Sequence, residues 1–156
     1  MTREEWLLKR TFAATSVDGP RLRELKAAAG VSLSVVLPAL NVAPTVGAIC
    51  HAIREQWMGP EGLVDELVVI DSASRDDTAR IAAAAGARVV HEGKLVTSAG
   101  PGRGKGEAMW KSLAATTGDL VMWIDSDIED FDPNFVPRLL LPLLTNPTIA
   151  YVKGFY

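Results

Sequence analysis

The sequence contains little cysteine and little excess charge. A single cysteine, Cys50, stands among 156 residues, so no internal disulfide can form and a disulfide-stapled secreted scaffold is excluded. The formal net charge of −3 gives no broad basic field, and an extended nucleic-acid surface is therefore not expected. We expect a protein of the reducing cytoplasm.

The sequence has no long apolar run, and a secretory leader is not expected. No run approaches the roughly 18 apolar residues that span a bilayer, and the charged start at residues 1–6 is not typical of a signal peptide. Membrane insertion is therefore not expected. The apolar residues, 48% of the chain, instead supply the core of one compact domain, and the length excludes a second large one.

From Leu33 onward, short apolar segments rich in β-branched residues alternate with helical stretches. Strands are predicted at residues 33–37, 66–70, 86–90, 120–124 and 148–152. Helices are predicted at about residues 45–57, 76–85 and 105–116, and after residue 133. Pro38 is expected to end the first strand. This alternation predicts an α/β fold with a mostly parallel sheet and helices on both faces.

The first 30 residues have a different character. Apolar residues mixed with charged ones predict two short amphipathic helices, broken at residues 18–20. We therefore divide the chain into an N-terminal helical segment, residues 1–30, and a main portion, residues 31–156.

Polar residues follow three of the predicted strands. They are Asn41, Asp71 with Ser72, and Asp125 with Ser126 and Asp127. Because the carboxyl ends of parallel strands share one edge of the sheet, where ligands of such folds bind, we expect these side chains to converge there.

Asp125 and Asp127 flank Ser126 directly after an apolar strand. Carboxylate oxygens are hard ligands that suit Mg²⁺ or Mn²⁺. One carboxylate could bind the cation while the other meets a ribose or a metal-bound water. A turn with helix-capping carboxylates is the ordinary explanation of such a motif in isolation.

Asp71 and Ser72 begin a polar stretch at residues 71–78. Capping of the following helix accounts for Ser74, Asp76 and Asp77. It does not account for Asp71 and Ser72, which lie one step earlier at the sheet edge, where a base or ribose needs polar partners. We interpret these two residues as functional.

Two further segments carry candidate binding groups. The tract at residues 37–41 could hold a nucleobase edge through its backbone, although an ordinary strand-to-helix turn also fits. Lys105 begins a helix after a glycine-rich loop at residues 99–104, and its ammonium and the helix amides could receive phosphate oxygens. A solvated basic turn is the alternative, because the spacing is not that of a P-loop.

Four segments together resemble the glucosyl-3-phosphoglycerate and mannosyl-3-phosphoglycerate synthases. They are PALN at 38–41, VDELVVIDSASRDDT at 64–78, GKGEAMWKSLAATTGDLVMWIDSD at 104–127 and FVPRLLLPLL at 135–144. The resemblance runs from about Val31 to Tyr156. It implies a GT-A fold, a required Mg²⁺ or Mn²⁺, and a retaining transfer of glucose or mannose from UDP-glucose or GDP-mannose to 3-phosphoglycerate, giving an osmolyte or polysaccharide precursor.

The resemblance also implies site residues. Donor contacts are implied for Pro38, Ala39, Leu40, Asn41, Ser72, Lys105, Asp125 and Ser126, to which the strand-end argument adds Asp71. Asp127 matches the carboxylate that binds the metal and thereby helps to neutralise the departing diphosphate. No catalytic residue is assigned.

The sequence departs from the family in two respects. Val42-Ala43-Pro44 stands where the family usually has an acidic stretch after Asn41, which leaves the choice between UDP and GDP open. The family also continues beyond the position of Tyr156, with an acceptor-binding loop and a histidine that completes the metal site. We therefore expect residues 31–156 to be the donor-binding portion of a GT-A domain without its acceptor half.

Such a portion should bind nucleotide better than it transfers sugar. We expect a homodimer or further chain to cover the sheet edge. Two other interpretations stay open, an inverting family-two glycosyltransferase and a noncatalytic nucleotide-sugar-binding fragment.

Overall fold

The structure, a computed structural model, describes residues 2–13, 18–100 and 104–154. Its strands are β1 (Leu33–Ala39), β2 (Glu66–Asp71), β3 (Arg88–His91) and β4 (Leu120–Trp123). Its α-helices are α1 (Arg3–Arg10), α2 (Gly19–Ala29), α3 (Ala43–Trp57), α4 (Thr78–Ala84), α5 (Lys105–Ser112) and α6 (Phe135–Thr145), with 3₁₀ turns at Glu92–Lys94 and Thr97–Ala99. None of the helices in the described ranges has both the length and the hydropathy to cross a membrane.

The four strands form one parallel sheet in the order β3-β2-β1-β4. β1 is central, and all seven of its residues are buried. A continuous apolar run of this kind is typical of a parallel strand that is covered on both faces. The predicted parallel sheet is therefore confirmed.

Helices cover both faces of the sheet, as the sequence predicts. Because successive side chains of a strand point to opposite faces, Val35 and Leu37 join the larger core, which includes buried residues of α2, α3 and α6. Val36 and Val68 form a smaller core with Ala108 of α5 on the other face. β1 therefore contributes to both cores.

Pro38 does not end β1, and that prediction is wrong. The backbone oxygen of Val36 accepts from Ile124 N, whereas that of Ala39 accepts from Ser72 N. The backbone N–H and C=O groups of successive residues point to opposite neighbouring strands. The backbone N and O of Pro38 therefore face β4, as those of Val36 do. Since β4 has already ended at that level, the missing N–H of Pro38 costs no ladder hydrogen bond.

The predicted fifth strand at residues 148–152 is also wrong. Ile149 N donates to Asn146 O in a turn after α6, and Tyr151 is 72% exposed. None of the four strands of the described chain pairs with this segment. An apolar β-branched run forms a strand only where a neighbouring backbone accepts its hydrogen bonds, and none does so here.

The two N-terminal helices are confirmed, but residues 18–20 begin the second helix instead of separating the two. Asp18 caps α2 by accepting from Arg21 N, and Pro20 lies in the first turn, where its missing N–H costs nothing. Leu22 of α2 is buried in the larger core. In contrast, α1 buries none of its residues.

We predict that Ile53→Ala lowers the free energy of unfolding by about 2–5 kcal/mol, because Ile53 lies wholly inside the larger core and its truncation leaves a cavity. Urea denaturation measures the change. The matched variant Leu8→Ala, at a side chain that is 84% exposed, should change the value by less than about 0.5 kcal/mol. Equal losses in the two variants would contradict this description of the core.

Candidate functional site

A cavity of about 590 Å³ opens at the carboxyl ends of the strands, within the size range of small-molecule sites. Seven residues predicted from the sequence line it: Pro38, Ala39, Leu40, Ser72, Lys105, Ser126 and Asp127. The other lining residues are Val42, Ala73, Glu92, Gly93, Gly104 and Ala108. The structure thus brings together the loops that follow all four strands. Residues 101–103 of the predicted glycine-rich loop, and residues 155–156, lie outside the described residues.

Three predicted site residues do not line the cavity, namely Asn41, Asp71 and Asp125. The Asp71 carboxylate is buried, where it accepts from Ser74 N at 3.3 Å and lies 3.1 Å from His91 Nδ1. Asp125 forms an ion pair with Lys105. In this structure these residues support neighbours of the cavity, and their donor contacts stay predictions.

Asn41 ties the loop after β1 to the loop after β2. Its Oδ1 accepts from Arg75 N at 2.8 Å, and its own N donates to Ser74 Oγ at 3.0 Å. Its φ of 54° lies in the left-handed region, which asparagine tolerates better than most residues. Asn41 therefore sets the shape of the cavity mouth.

The amino end of α3 is capped from the loop after β2. Val42, at the N-cap position, has no side-chain acceptor, but its N donates to Thr78 Oγ1 at 2.8 Å, and Ala43 N donates to Asp76 Oδ2 at 3.1 Å. The other Asp76 oxygen accepts from Thr78 N. Asp76 was expected to cap only the helix that follows it, whereas one carboxylate serves both α3 and α4.

Ala73 takes a strained backbone conformation at the cavity wall. Its φ is 63°, a region that costs a residue with a Cβ about 1–2 kcal/mol. The flanking residues are fixed, since Ser72 N donates to Ala39 O and Ser74 N to Asp71 Oδ1. Strain held by such surroundings is typical of binding loops.

Ser126 locks the loop after β4 onto the end of β1. Its buried hydroxyl donates to Pro38 O, and its own backbone oxygen accepts from Thr45 Oγ1 at 2.6 Å. Asp127, the next residue, is exposed and lines the cavity. Fixing Ser126 therefore also fixes where the Asp127 carboxylate emerges.

Lys105 stands at the amino end of α5 beside the cavity. Its ammonium pairs with the Asp125 carboxylate, and both side chains are about half exposed. Among the residues that the structure describes, no side chain caps the first amides of α5, where Gly104 is the N-cap residue. Free amides and an ammonium at a helix amino end form a favourable place for an anion.

Glu92 is a cavity residue that the sequence analysis missed. It is buried and accepts from Ser72 Oγ, and Lys111 Nζ lies 3.6 Å from its second oxygen. Lys111 also lies 2.8 Å from Glu107 Oε1, and this hydrogen bond raises the pKa of Lys111. Glu92 directly follows β3, so the strand-end argument applied to that strand would have found it.

Comparison with known proteins assigns the chain to a family. The sequence profile described as "Glycosyl transferase family 2" matches residues 34–156. The chain belongs to glycosyl transferase family 2.

Proteins of named activity are similar to this chain in sequence and in structure. It is 53% identical to a glucosyl-3-phosphoglycerate synthase of Mycolicibacterium smegmatis, over 85% of the chain and 43% of that relative. A mannosyl-3-phosphoglycerate synthase of Rubrobacter xylanophilus superposes with a TM-score of 0.84 at 39% identity, over 92% of the chain and 46% of that protein.

A third relative was solved with ligands bound. The Mycobacterium tuberculosis glucosyl-3-phosphoglycerate synthase in complex with Mn²⁺, UDP and glucosyl-3-phosphoglycerate superposes with a TM-score of 0.78 at 46% identity, over 86% of the chain and 47% of that protein. These likenesses confirm the GT-A fold and the expected family resemblance. The chain spans less than half the length of each of these relatives.

We predict a pH-dependent loss of stability from Asp76→Asn, because asparagine keeps a single oxygen and can hold only one of the two loops that Asp76 joins. The hydrogen bond from Thr78 lowers the pKa of Asp76. Its stabilising effect is therefore complete above the unfolded value of about 3.9 and is lost as the pH falls through the lower folded value. Thermal melts should show a lower Tm for the variant at pH 7 and a gap that narrows below about pH 4.

Asp77→Asn is the matched control, since the Asp77 carboxylate binds only the exposed Arg80 side chain in the described structure. Its effect on Tm should be smaller and should fade in salt. A Tm gap for Asp76→Asn that stayed constant from pH 7 to pH 3 would contradict the role of its charge.

Proposed function

We propose that the chain is the donor-binding portion of a retaining, metal-dependent hexosyltransferase that moves glucose or mannose from UDP-glucose or GDP-mannose to 3-phosphoglycerate. One observation carries the proposal: Ser72, Lys105 and Asp127 converge with the end of β1 on a single cavity. The relatives with these named activities support the substrate classes. In this proposal residues 31–156 form the donor-binding portion, onto which α2 packs through Leu22.

Two sets of lining residues suit two parts of a nucleotide sugar, the base and the diphosphate. Leu40, which is 56% exposed, and Ala39 offer an apolar surface in the cavity that Ser72 also lines. A nucleobase has apolar ring faces and polar groups at its edge, so it needs both an apolar surface and a polar partner. Lys105 and the amino end of α5 supply positive charge, as a diphosphate requires.

A divalent cation fits the part of the cavity that Asp127 lines. Mg²⁺ is commonly held by one or two carboxylates together with substrate phosphates, and Asp127 offers one exposed carboxylate there. The described residues contain no group of three or more potential protein ligands, so we propose that the nucleotide supplies the remaining contacts. The bound ion would neutralise charge on the departing diphosphate.

Calorimetry of the full chain tests the proposal directly. UDP-glucose and GDP-mannose are titrated with Mn²⁺ present, and at least one should give saturable binding. Absence of binding by both donors would refute the proposed function.

We predict that Asp127→Asn weakens nucleotide binding on the order of tenfold with Mn²⁺ present and leaves metal-free binding unchanged, because the variant keeps the shape and removes the charge. Lys105→Ala should weaken binding with and without metal. The matched control is Asp130→Asn, an exposed carboxylate nearby in the chain that does not line the cavity. If the Asp127→Asn variant kept the manganese dependence of the wild-type protein, the assignment of Asp127 as a metal ligand would be wrong.

We also propose that a second copy of the chain, in a homodimer, or further chain covers the outer edge of β4. None of the described strands pairs with that edge. Trp6 and Leu7 of α1 are exposed and could contribute to the cover. The expected result in light scattering is a mass above the 16.7 kDa of one chain, and a monodisperse monomer would argue against a dimer.

We propose that the protein is cytoplasmic. Its one cysteine is a free thiol, and burial raises the pKa of Cys50 to about 12. A structural thiol of this kind suits a reducing compartment.

A further inference from the structure

We propose that Glu92 fixes the direction of the Ser72 hydroxyl, so that Ser72 accepts a hydrogen bond from the bound base and selects bases that present an N–H at that edge. This inference rests on the proposed function and deepens it. Glu92 is in this view a positioning residue, which acts on the ligand through Ser72.

The hydrogen-bond inventory of Ser72 gives the first step. A hydroxyl has one proton, and a carboxylate only accepts, so the contact between Ser72 Oγ and Glu92 Oε2 commits that proton to Glu92. The backbone N of Ser72 is also committed, because it donates to Ala39 O at 2.9 Å. Ser72 lines the cavity and therefore offers a ligand acceptor lone pairs, those of its hydroxyl among them, but no N–H or O–H donor.

The setting of Glu92 gives the second step. Its side chain is 11% exposed, and Lys111 Nζ, on a side chain that is 5% exposed, lies 3.6 Å from the oxygen that Ser72 does not use. Lys111 is in turn held by Glu107 at 2.8 Å. A carboxylate with a buried counter-charge on one oxygen and a hydroxyl on the other has little freedom to turn away. The direction of the Ser72 hydroxyl is thus set before any ligand arrives.

The chemistry of the bases gives the third step. Uracil carries an imide N–H at N3 and guanine a lactam N–H at N1, and either can donate to a hydroxyl oxygen. Cytosine has an unprotonated nitrogen with a lone pair at the matching position, which would face the lone pairs of Ser72. A site whose polar group is left unpaired rejects a ligand much more strongly than one that loses an apolar contact.

The test measures binding of UDP, CDP and N3-methyl-UDP to the full chain by calorimetry with Mn²⁺. If GDP is the nucleotide that binds, N1-methyl-GDP replaces the methylated probe and GDP replaces UDP. Wild-type protein should bind the nucleotide that carries this N–H at least about tenfold more tightly than its methylated form and, in the UDP series, than CDP.

Glu92→Gln is the decisive variant, because its amide can donate to Ser72 Oγ and release the hydroxyl proton toward the cavity. The preference for the nucleotide that carries this N–H should fall at least about fivefold, through weaker binding of that nucleotide and, in the UDP series, tighter binding of CDP. Ser72→Ala keeps the ion pair of Glu92 and Lys111 and should lose the same preference. It is the second test variant if Glu92→Gln folds poorly.

Glu66→Gln is the matched control. Glu66 at the start of β2 accepts from Ser34 Oγ of β1 at 2.6 Å, at the opposite end of the sheet, and its replacement should leave the preference unchanged. If Glu92→Gln and Ser72→Ala keep the wild-type preference while all affinities fall together, Glu92 is merely structural and the inference is overturned. Absence of binding by wild-type protein to UDP and GDP alike would instead overturn the proposed function, and this inference with it.

Discussion

The parallel pairing of β1 on both sides determines where every part of the cavity lies. Ala39 at the end of β1 is in register with Asp71 at the end of β2, and β2 in turn aligns Asp71 with His91 of β3. The carboxyl ends of three strands therefore stop at one level, while β4 stops earlier and leaves room beside Pro38. The loop after β4 fills this room, where Ser126 bonds to Pro38 O.

Side-chain hydrogen bonds then tie the loops to one another. Thr78 and Asp76 hold the start of α3, Thr45 holds the loop after β4, and Ser72 holds Glu92 after β3. These bonds join protein groups to one another and restrict the loops, so less conformational entropy is lost when such loops bind a ligand. The strained Ala73 stays in place for the same reason.

The sequence was sufficient to predict the elements whose signal is local. β1 and β2 are apolar runs next to turn residues, and polar residues after parallel strands must share an edge, so the cavity and seven of its residues followed. The segment at residues 148–152 has the same local signal as a strand but finds no partner strand in the described chain. Local pattern cannot separate these two cases, because pairing is decided by distant backbone.

The missed features of the site share this dependence on distant contacts. Glu92 meets Ser72 only because β2 and β3 pair in one register, and it meets Lys111 only because α5 packs against that face. The capping of α3 by Asp76 crosses between two loops that are 33 residues apart in the chain. Residue propensity predicted that Asp76 caps the helix that follows it, α4. Its second role, at the start of α3, depends on tertiary structure and has no local signal.

The occupied amino end of α3 bears on how a product would leave. In many nucleotide-binding α/β folds the helix after the first strand gives its free amides to the phosphates. In this chain Thr78 and Asp76 already hold those amides, and the Asp76 carboxylate brings negative charge to that end. Under the proposed function, a diphosphate would rely on the half-exposed Lys105, the start of α5 and an exchangeable ion. Departure of the ion would then loosen the spent nucleotide while the backbone of α3 stays where it is.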